Sequence, residues 1–299
     1  DVARPTLASV GWLTPRAQRR QPRCIDQEET HVPASRHSTP LKAVYVLDEI
    51  ATSRAGTEQQ LLLLLTHLDR RVVSPSVIVF RGSDVTQSWQ IADCAVSDLG
   101  LVRLASPRGV LKLIALWWRL VRLRPDVVHV LLHDAGVVVP PVAKLAGAVV
   151  VASRRDMGFL YSPFVRRLLR LSNRFVTVIA ANSRAVAEHV AIAERFPTRR
   201  IVVIRNGLDE HRLALPPTDI RTELRIPASA KVIGIVANLN PWKRHRDLIA
   251  ATEQLNRLGG GYHLVVVGDG PERASLEALI RERGLGAFVH LLGAVNEPI

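Results

Sequence analysis

Short apolar runs rich in β-branched residues recur along this chain, separated by stretches in which apolar residues return at helical spacing. Runs at 42–47, 76–80, 95–99, 125–130, 149–152, 176–180, 232–237, 262–267 and 287–292 predict strands. Helices are predicted between them at 59–68, 110–124, 139–146, 184–193 and 219–224, from 243 onward, and at 272–284. Strand and helix in regular alternation specify an α/β fold. Pro140 and Pro141 are expected in the first turn of their helix, and Asn182 or Ser183 as the N-cap of 184–193. Residues 1–40 carry scattered Pro, Arg, Gln, Ser and Thr with no sustained period, and predict a disordered leader. Two domains are expected after it, at 41–209 and 210–299.

The stretch 231–251, KVIGIVANLNPWKRHRDLIAA, concentrates the candidate chemistry. Its apolar opening predicts a buried parallel strand, followed by a polar turn with Asn238 and Asn240. The next helix is expected to carry Lys243, Arg244, His245 and Arg246 in its first turn. Cations oppose the dipole at that end of a helix, where anions are the favoured guests. The arrangement suits a phosphate shared between backbone N–H groups and basic side chains. An ordinary strand–helix turn with a solvated basic face is the competing reading.

The flanking motifs separate those readings. "VIRNGLD" ending at Asp209, "VANLNPWKRH" ending at His245, "LVVVGDGPE" ending at Glu272 and "LLG" ending at Gly293 occur in this order. Together they resemble the retaining glycosyltransferases of family 4, and the resemblance runs from about Leu41 to the last residue. It implies the GT-B architecture: two Rossmann-like domains, the second incomplete here. It implies transfer of a sugar from a nucleotide-diphosphate donor with retention at the anomeric carbon, no metal and no separate cofactor. Donor-binding residues implied are Gly56, Thr57, Glu58, Asn238, Lys243, Arg244, Gly268, Gly270 and Gly293. Lys243 and His133 are the catalytic candidates. Arg154 and Arg155, in "SRRDMGF", are candidate ligands for a phosphate or acceptor group, with a surface pair to Asp156 as the alternative.

The sequence departs from the family pattern at several points. Ala55 replaces the first glycine before Gly56, Leu131 stands where many members carry a functional His, and the loop arginine that usually partners the Lys is absent at Asn238 and Asn240. The family's paired-glutamate motif is not found before Ile299, so a C-terminally truncated enzyme with impaired activity is expected.

Charge is uneven. Residues 41–209 hold 23 Lys and Arg against 13 Asp and Glu, whereas residues 210–299 are nearly balanced. The predicted helix at 110–124 carries basic residues beside Trp117 and Trp118, and 164–174 adds four arginines. Adjacent helix positions lie about 100° apart, so the two tryptophans cannot share one buried stripe. An anionic membrane surface is therefore a candidate partner, beside the donor and an unknown acceptor. No nucleic-acid motif accompanies the charge, and no nucleic-acid partner is expected. Cys24 and Cys94 form neither a metal spacing nor a disulfide framework, which suggests a reducing, cytoplasmic location, with attachment at the inner membrane face as a variant. The chain begins without Met, which suggests a missing or processed start. The second reading is a non-catalytic remnant that binds a partner or an anionic membrane through its basic first domain.

Overall fold

The structure is a computed structural model and describes residues 39–50, 56–83, 86, 93–131, 133–158, 161–209 and 219–295. The leader up to residue 38, Ala55 and Phe159 lie outside the described residues. Two compact units divide the chain, one ending at Gly207 and the other beginning at Leu208.

The first unit is a seven-stranded parallel sheet. In chain order its strands are β1 (Leu41–Glu49), β2 (Val73–Arg81), β3 (Ala95–Asp98), β4 (Val127–Val130), β5 (Val149–Arg154), β6 (Val178–Ala181) and β7 (Ile201–Val203). Their spatial order is β3-β2-β1-β4-β5-β6-β7. The helices are α1 (Gly56–His67), α2 (Pro107–Leu123), α3 (His133–Leu145), α4 (Pro163–Ser172) and α5 (Arg184–Ala193). The strand order runs outward from β1 in both directions, and crossovers are right-handed. Helix α1 therefore covers one face and the later helices the other. Side-chain alternation in β1 agrees: Tyr45 and Leu47 pack with Leu61 and Leu65 of α1, while Val44 and Val46 pack with Leu116 and Leu120 of α2 and Val139 of α3.

Helix α3 begins earlier than the sequence pattern predicts. It starts at His133 and holds Pro140 and Pro141 in its interior rather than its first turn. A carboxylate distant in sequence makes the early start possible. Asp48, at the end of β1, accepts the backbone N–H groups of His133 (3.0 Å), Asp134 (3.0 Å) and Ala135 (2.6 Å). Those are orphan donors of a helix N-terminus, so Asp48 caps α3 from another element. Pro140 has no N–H to give the carbonyl of Gly136, four residues earlier. The Ser172 hydroxyl, at the end of α4, donates to that carbonyl instead, at 3.3 Å.

The second unit is a three-stranded parallel sheet in the order β10-β9-β8, from β8 (Lys231–Val236), β9 (Tyr262–Val267) and β10 (Val289–Gly293). The helices α6 (Ile220–Glu223), α7 (His245–Arg257) and α8 (Arg273–Glu282) complete it. Ile249 of α7, Leu276 and Ile280 of α8 and Leu264 and Val266 of β9 form its core. Strand β8 was expected to be buried. It is instead a half-exposed edge that pairs with β9, and Val236 is 60% exposed. Both crossovers run in one direction across this sheet, so α7 and α8 cover the same face.

Candidate active site

The predicted residues of the first unit gather at the carboxyl ends of the strands, where open α/β sheets bind ligands. The strand order reverses between β1 and β4, and the crevice of such a sheet lies at that switch point. Helix α1 leaves β1 with Gly56 exposed, Thr57 half-buried and Glu58 buried. Burial pushes the Glu58 carboxyl above its usual range, and Glu49 nearby adds to the shift. Among the described residues, its chain neighbours and its own helix backbone aside, no atom lies within 4 Å of where a Cβ on Gly56 would stand. His133 is the first residue of α3, not a residue at the end of the strand as expected. Its imidazole is half exposed, 4.0 Å from the Asp156 carboxylate and edge-on to Tyr161 with ring centroids 4.6 Å apart.

The two arginines of "SRRDMGF" have different fates. Arg154 is 5% exposed, and every nitrogen of its guanidinium is engaged. Its Nε donates to Glu194 at 2.8 Å, its Nη2 to Glu194 and Asn173, and its Nη1 to the Ser153 carbonyl. It is neither a free anion ligand nor a surface partner of Asp156: β5 alternates, and this position points into the helix layer. Arg155 points the other way. It donates to the Asn206 side chain at 3.1 Å, while Gln60 of α1 exchanges two 2.8 Å hydrogen bonds with the backbone of Gly207. The "RNG" turn is thus tied to both α1 and the end of β5. Arg155 keeps its Nε buried without a partner among the described residues, and burial holds its pKa below the usual value.

The sequence reading missed three contributors: Asp48, Tyr161 and the pair His129–Ser153. An acid directly after the apolar core of β1 was the available signal for Asp48. Burial raises the Asp48 pKa against the opposing pull of its amide donors. His129 Nε2 lies 2.8 Å from Ser153 Oγ, and its ring packs against Tyr45. Burial, with Arg155 nearby, lowers the His129 pKa from 6.5 to about 4. Its proton therefore favours the unfolded chain. The stability it contributes is complete above pH 6.5 and is lost as pH falls toward about 4, in total on the order of 3 kcal/mol. Urea melts of the parent and a His129→Gln variant should show their stability difference shrinking across that window. A difference that stays flat from pH 7 to 4 contradicts the buried neutral imidazole.

In the second unit the predicted donor residues also collect at one sheet edge. The loop after β8 and the loop after β9 are laced together: Ala237 N–H donates to Val267, Leu239 N–H to Asp269 and Glu272 N–H to Leu239. Gly268 and Gly270 are required by that contact. A Cβ on Gly268 would meet the Ala237 carbonyl oxygen at 2.0 Å, and one on Gly270 the Leu239 carbonyl oxygen at 2.8 Å. Gly268 N–H also donates to Gly293, so all three strand ends join. Asn238 sits in the middle of the laced loop.

The basic cluster differs from expectation. Pro241–Lys243 form a 3-10 turn, Arg244 takes the left-handed conformation at the N-cap with φ 57°, and α7 starts only at His245. His245 is 1% exposed with neither ring nitrogen hydrogen-bonded among the described residues, and burial lowers its pKa, so it is not a surface cation. Arg244 pairs with Asp247 and Arg246 with Glu272. Among the described residues, Lys243 is the cation of this cluster left without a carboxylate partner.

Comparisons with known proteins place this geometry. The model of "Glycosyltransferase Family 4" matches residues 54–212, and that of "Glycosyl transferases group 1" matches residues 217–299. A 2-deoxystreptamine glucosyltransferase of Streptomyces kanamyceticus is 28% identical over 124 residues, which span 40% of this chain and 31% of that protein. Among solved structures, Anabaena HepE in complex with UDP and glucose is similar with a TM-score of 0.69 at 23% identity, over 85% of this chain and 70% of that one. Sucrose-phosphate synthase from Thermosynechococcus elongatus gives 0.68 at 14% identity, over 86% and 71%. At these identities the structural likeness establishes the fold, which is GT-B. The family 4 match takes in more than half of the residues, and the chain belongs to the glycosyltransferases of family 4.

Proposed function

We propose that this chain binds a nucleotide-diphosphate sugar at the carboxyl edge of its second unit and serves transfer of the sugar, with retention, to a glycan, lipid or small-molecule acceptor. The observation that carries the proposal is Lys243. It is an exposed cation with no carboxylate partner among the described residues, next to backbone loops held in place by Gly268 and Gly270. When the sugar–phosphate bond breaks, its electron pair leaves on a diphosphate oxygen. A preorganised cation stabilises that charge as it develops. Asn238 offers a neutral donor in the same loop, and Arg244 becomes available if the diphosphate displaces Asp247. In the first unit, His133, Arg155 and the Gly56–Glu58 turn are the proposed substrate-binding groups. The UDP and glucose held by the Anabaena relative support a uridine nucleotide as the first probe.

Calorimetric titration of the chain with UDP tests this reading. Saturable binding of one UDP per chain, displaced by UDP-glucose, is expected. If UDP, GDP, ADP and dTDP all give no saturable heat, the donor-site assignment is wrong.

A further inference from the structure

Helices α2 and α4 lie in one layer on the first unit, each packed against α3 between them. Their inner faces are ordinary: Leu116 and Leu120 of α2 and Leu169 of α4 are fully buried. Their outer faces are not. Around the helical wheel of α2, Val110, Ile114, Trp118 and Leu111 form one exposed apolar stripe, with Leu111 65% and Trp118 53% exposed. Arg122, Arg108, Arg119 and Lys112 follow directly beside it. Trp117 turns partly inward and Trp118 outward, their rings 5.0 Å apart. The groove next to Trp118 is lined by Ala115, Arg119, Arg122 and Leu123. Helix α4 repeats the pattern, with Phe164 68% and Leu171 47% exposed among Arg167, Arg170 and Arg174.

No acid interrupts either segment: residues 99–125 and 157–187 contain no Asp or Glu. A solvated protein surface mixes signs and hides large apolar groups. A stripe of Trp, Ile, Leu and Phe bordered by cations alone matches the boundary between acyl chains and anionic headgroups. Nucleic acid would use the cations but leaves the aliphatic stripe without a partner. No helix among the described residues is long and apolar enough to cross a membrane, so contact through these helices is lateral.

We propose that the outer face of α2 and α4 docks on an anionic lipid bilayer, with Trp118 and Phe164 inserted at the headgroup boundary and the flanking arginines on lipid phosphates. The proposal is independent of the donor reading. The test is flotation of the chain with large unilamellar vesicles, either pure phosphatidylcholine or an equal mixture with phosphatidylglycerol. At low salt the chain should float with the mixed vesicles and at least tenfold less with the neutral ones, and raised salt should weaken binding. Trp118→Glu with Phe164→Glu should cut binding at least tenfold, as should Arg119→Glu with Arg122→Glu. Trp118, Arg122 and Phe164 are exposed and Arg119 is half-buried, and unchanged circular dichroism and melting show that each variant is folded. Absence of flotation on the mixed vesicles overturns the proposal, as does binding that either double variant leaves intact. A dimer in sedimentation equilibrium without lipid, dissociated by Trp118→Glu, assigns the face to a second copy and also overturns it. Retardation of duplex DNA without vesicle binding has the same consequence.

Discussion

Replacing Lys243 by alanine is expected to lower donor-dependent sugar transfer by two to three orders of magnitude, in line with the roughly 10²–10³-fold cost of removing one preorganised group from a developing oxyanion. UDP binding should weaken as well, because the product carries the same diphosphate. The protein should remain folded. Lys243 is exposed, has no carboxylate partner among the described residues and sits outside α7, so its loss leaves no buried group unsatisfied and should change stability by no more than about 0.5 kcal/mol. Lys243→Arg should retain part of the activity. Arg244→Ala and Arg246→Ala should cost less in transfer than Lys243→Ala, since each is already held by a carboxylate, Asp247 or Glu272. Release of UDP from UDP-glucose, followed for the parent and the three variants, measures this. Equal rates for the parent and Lys243→Ala would remove the residue from the mechanism.

Arg154→Ala is expected to produce the largest loss of stability, about 3–5 kcal/mol, because it leaves the Glu194 carboxylate buried without its cation. The pair is almost fully enclosed, with side-chain exposures of 5% and 7%. Asn173 donates to the same carboxylate at 2.7 Å but supplies no charge. Lysine should not rescue the site, since a single ammonium cannot reproduce the fork that binds Glu194 twice and Asn173 once. Removing both charges, with Arg154→Met and Glu194→Leu, should recover most of the loss, because the desolvation cost disappears with the attraction. Urea unfolding of the four proteins decides it. A loss below 1 kcal/mol for Arg154→Ala would mean that water reaches the pair. The cluster joins the end of β5 to the ends of α4 and α5, so the weakened variant should also loosen the face that carries Phe164.

Most of the fold was legible in the pattern of apolar residues. The helix Arg184–Ala193 and the strand Tyr262–Val267 agree with the sequence reading at both ends. These elements signal themselves locally: Ser183 is an N-cap by type and accepts from Val186 N–H, and the run before Gly268 is continuous and β-branched. Motif order pointed to the family for a related reason. The glycines of "VGDG" follow a local rule, since only a residue without Cβ lets the loop after β9 lie against Ala237 and Leu239.

Errors arose where a distant residue decides the local structure. The start of α3 depends on Asp48, 85 residues before His133, and the carbonyl that Pro140 cannot serve is met by Ser172, 36 residues after Gly136. No window of sequence around 133–145 contains either partner. Arg154 and Arg155 are adjacent and chemically identical, yet one is buried on Glu194 and the other reaches Asn206, because successive side chains on a strand point to opposite faces.

The sequence by itself determined the α/β class, the family and the collection of basic residues near Lys243, because periodicity, glycine requirements and charge are properties of neighbouring residues. Only the tertiary structure decided which of those residues are available. It placed His133 on a helix capped by Asp48, withdrew Arg154 and His245 into the interior, paired Arg244 and Arg246 with carboxylates and, among the described residues, left Lys243 with none. Burial and ion pairing depend on groups brought together from far along the chain, and these set the free energy of each charge.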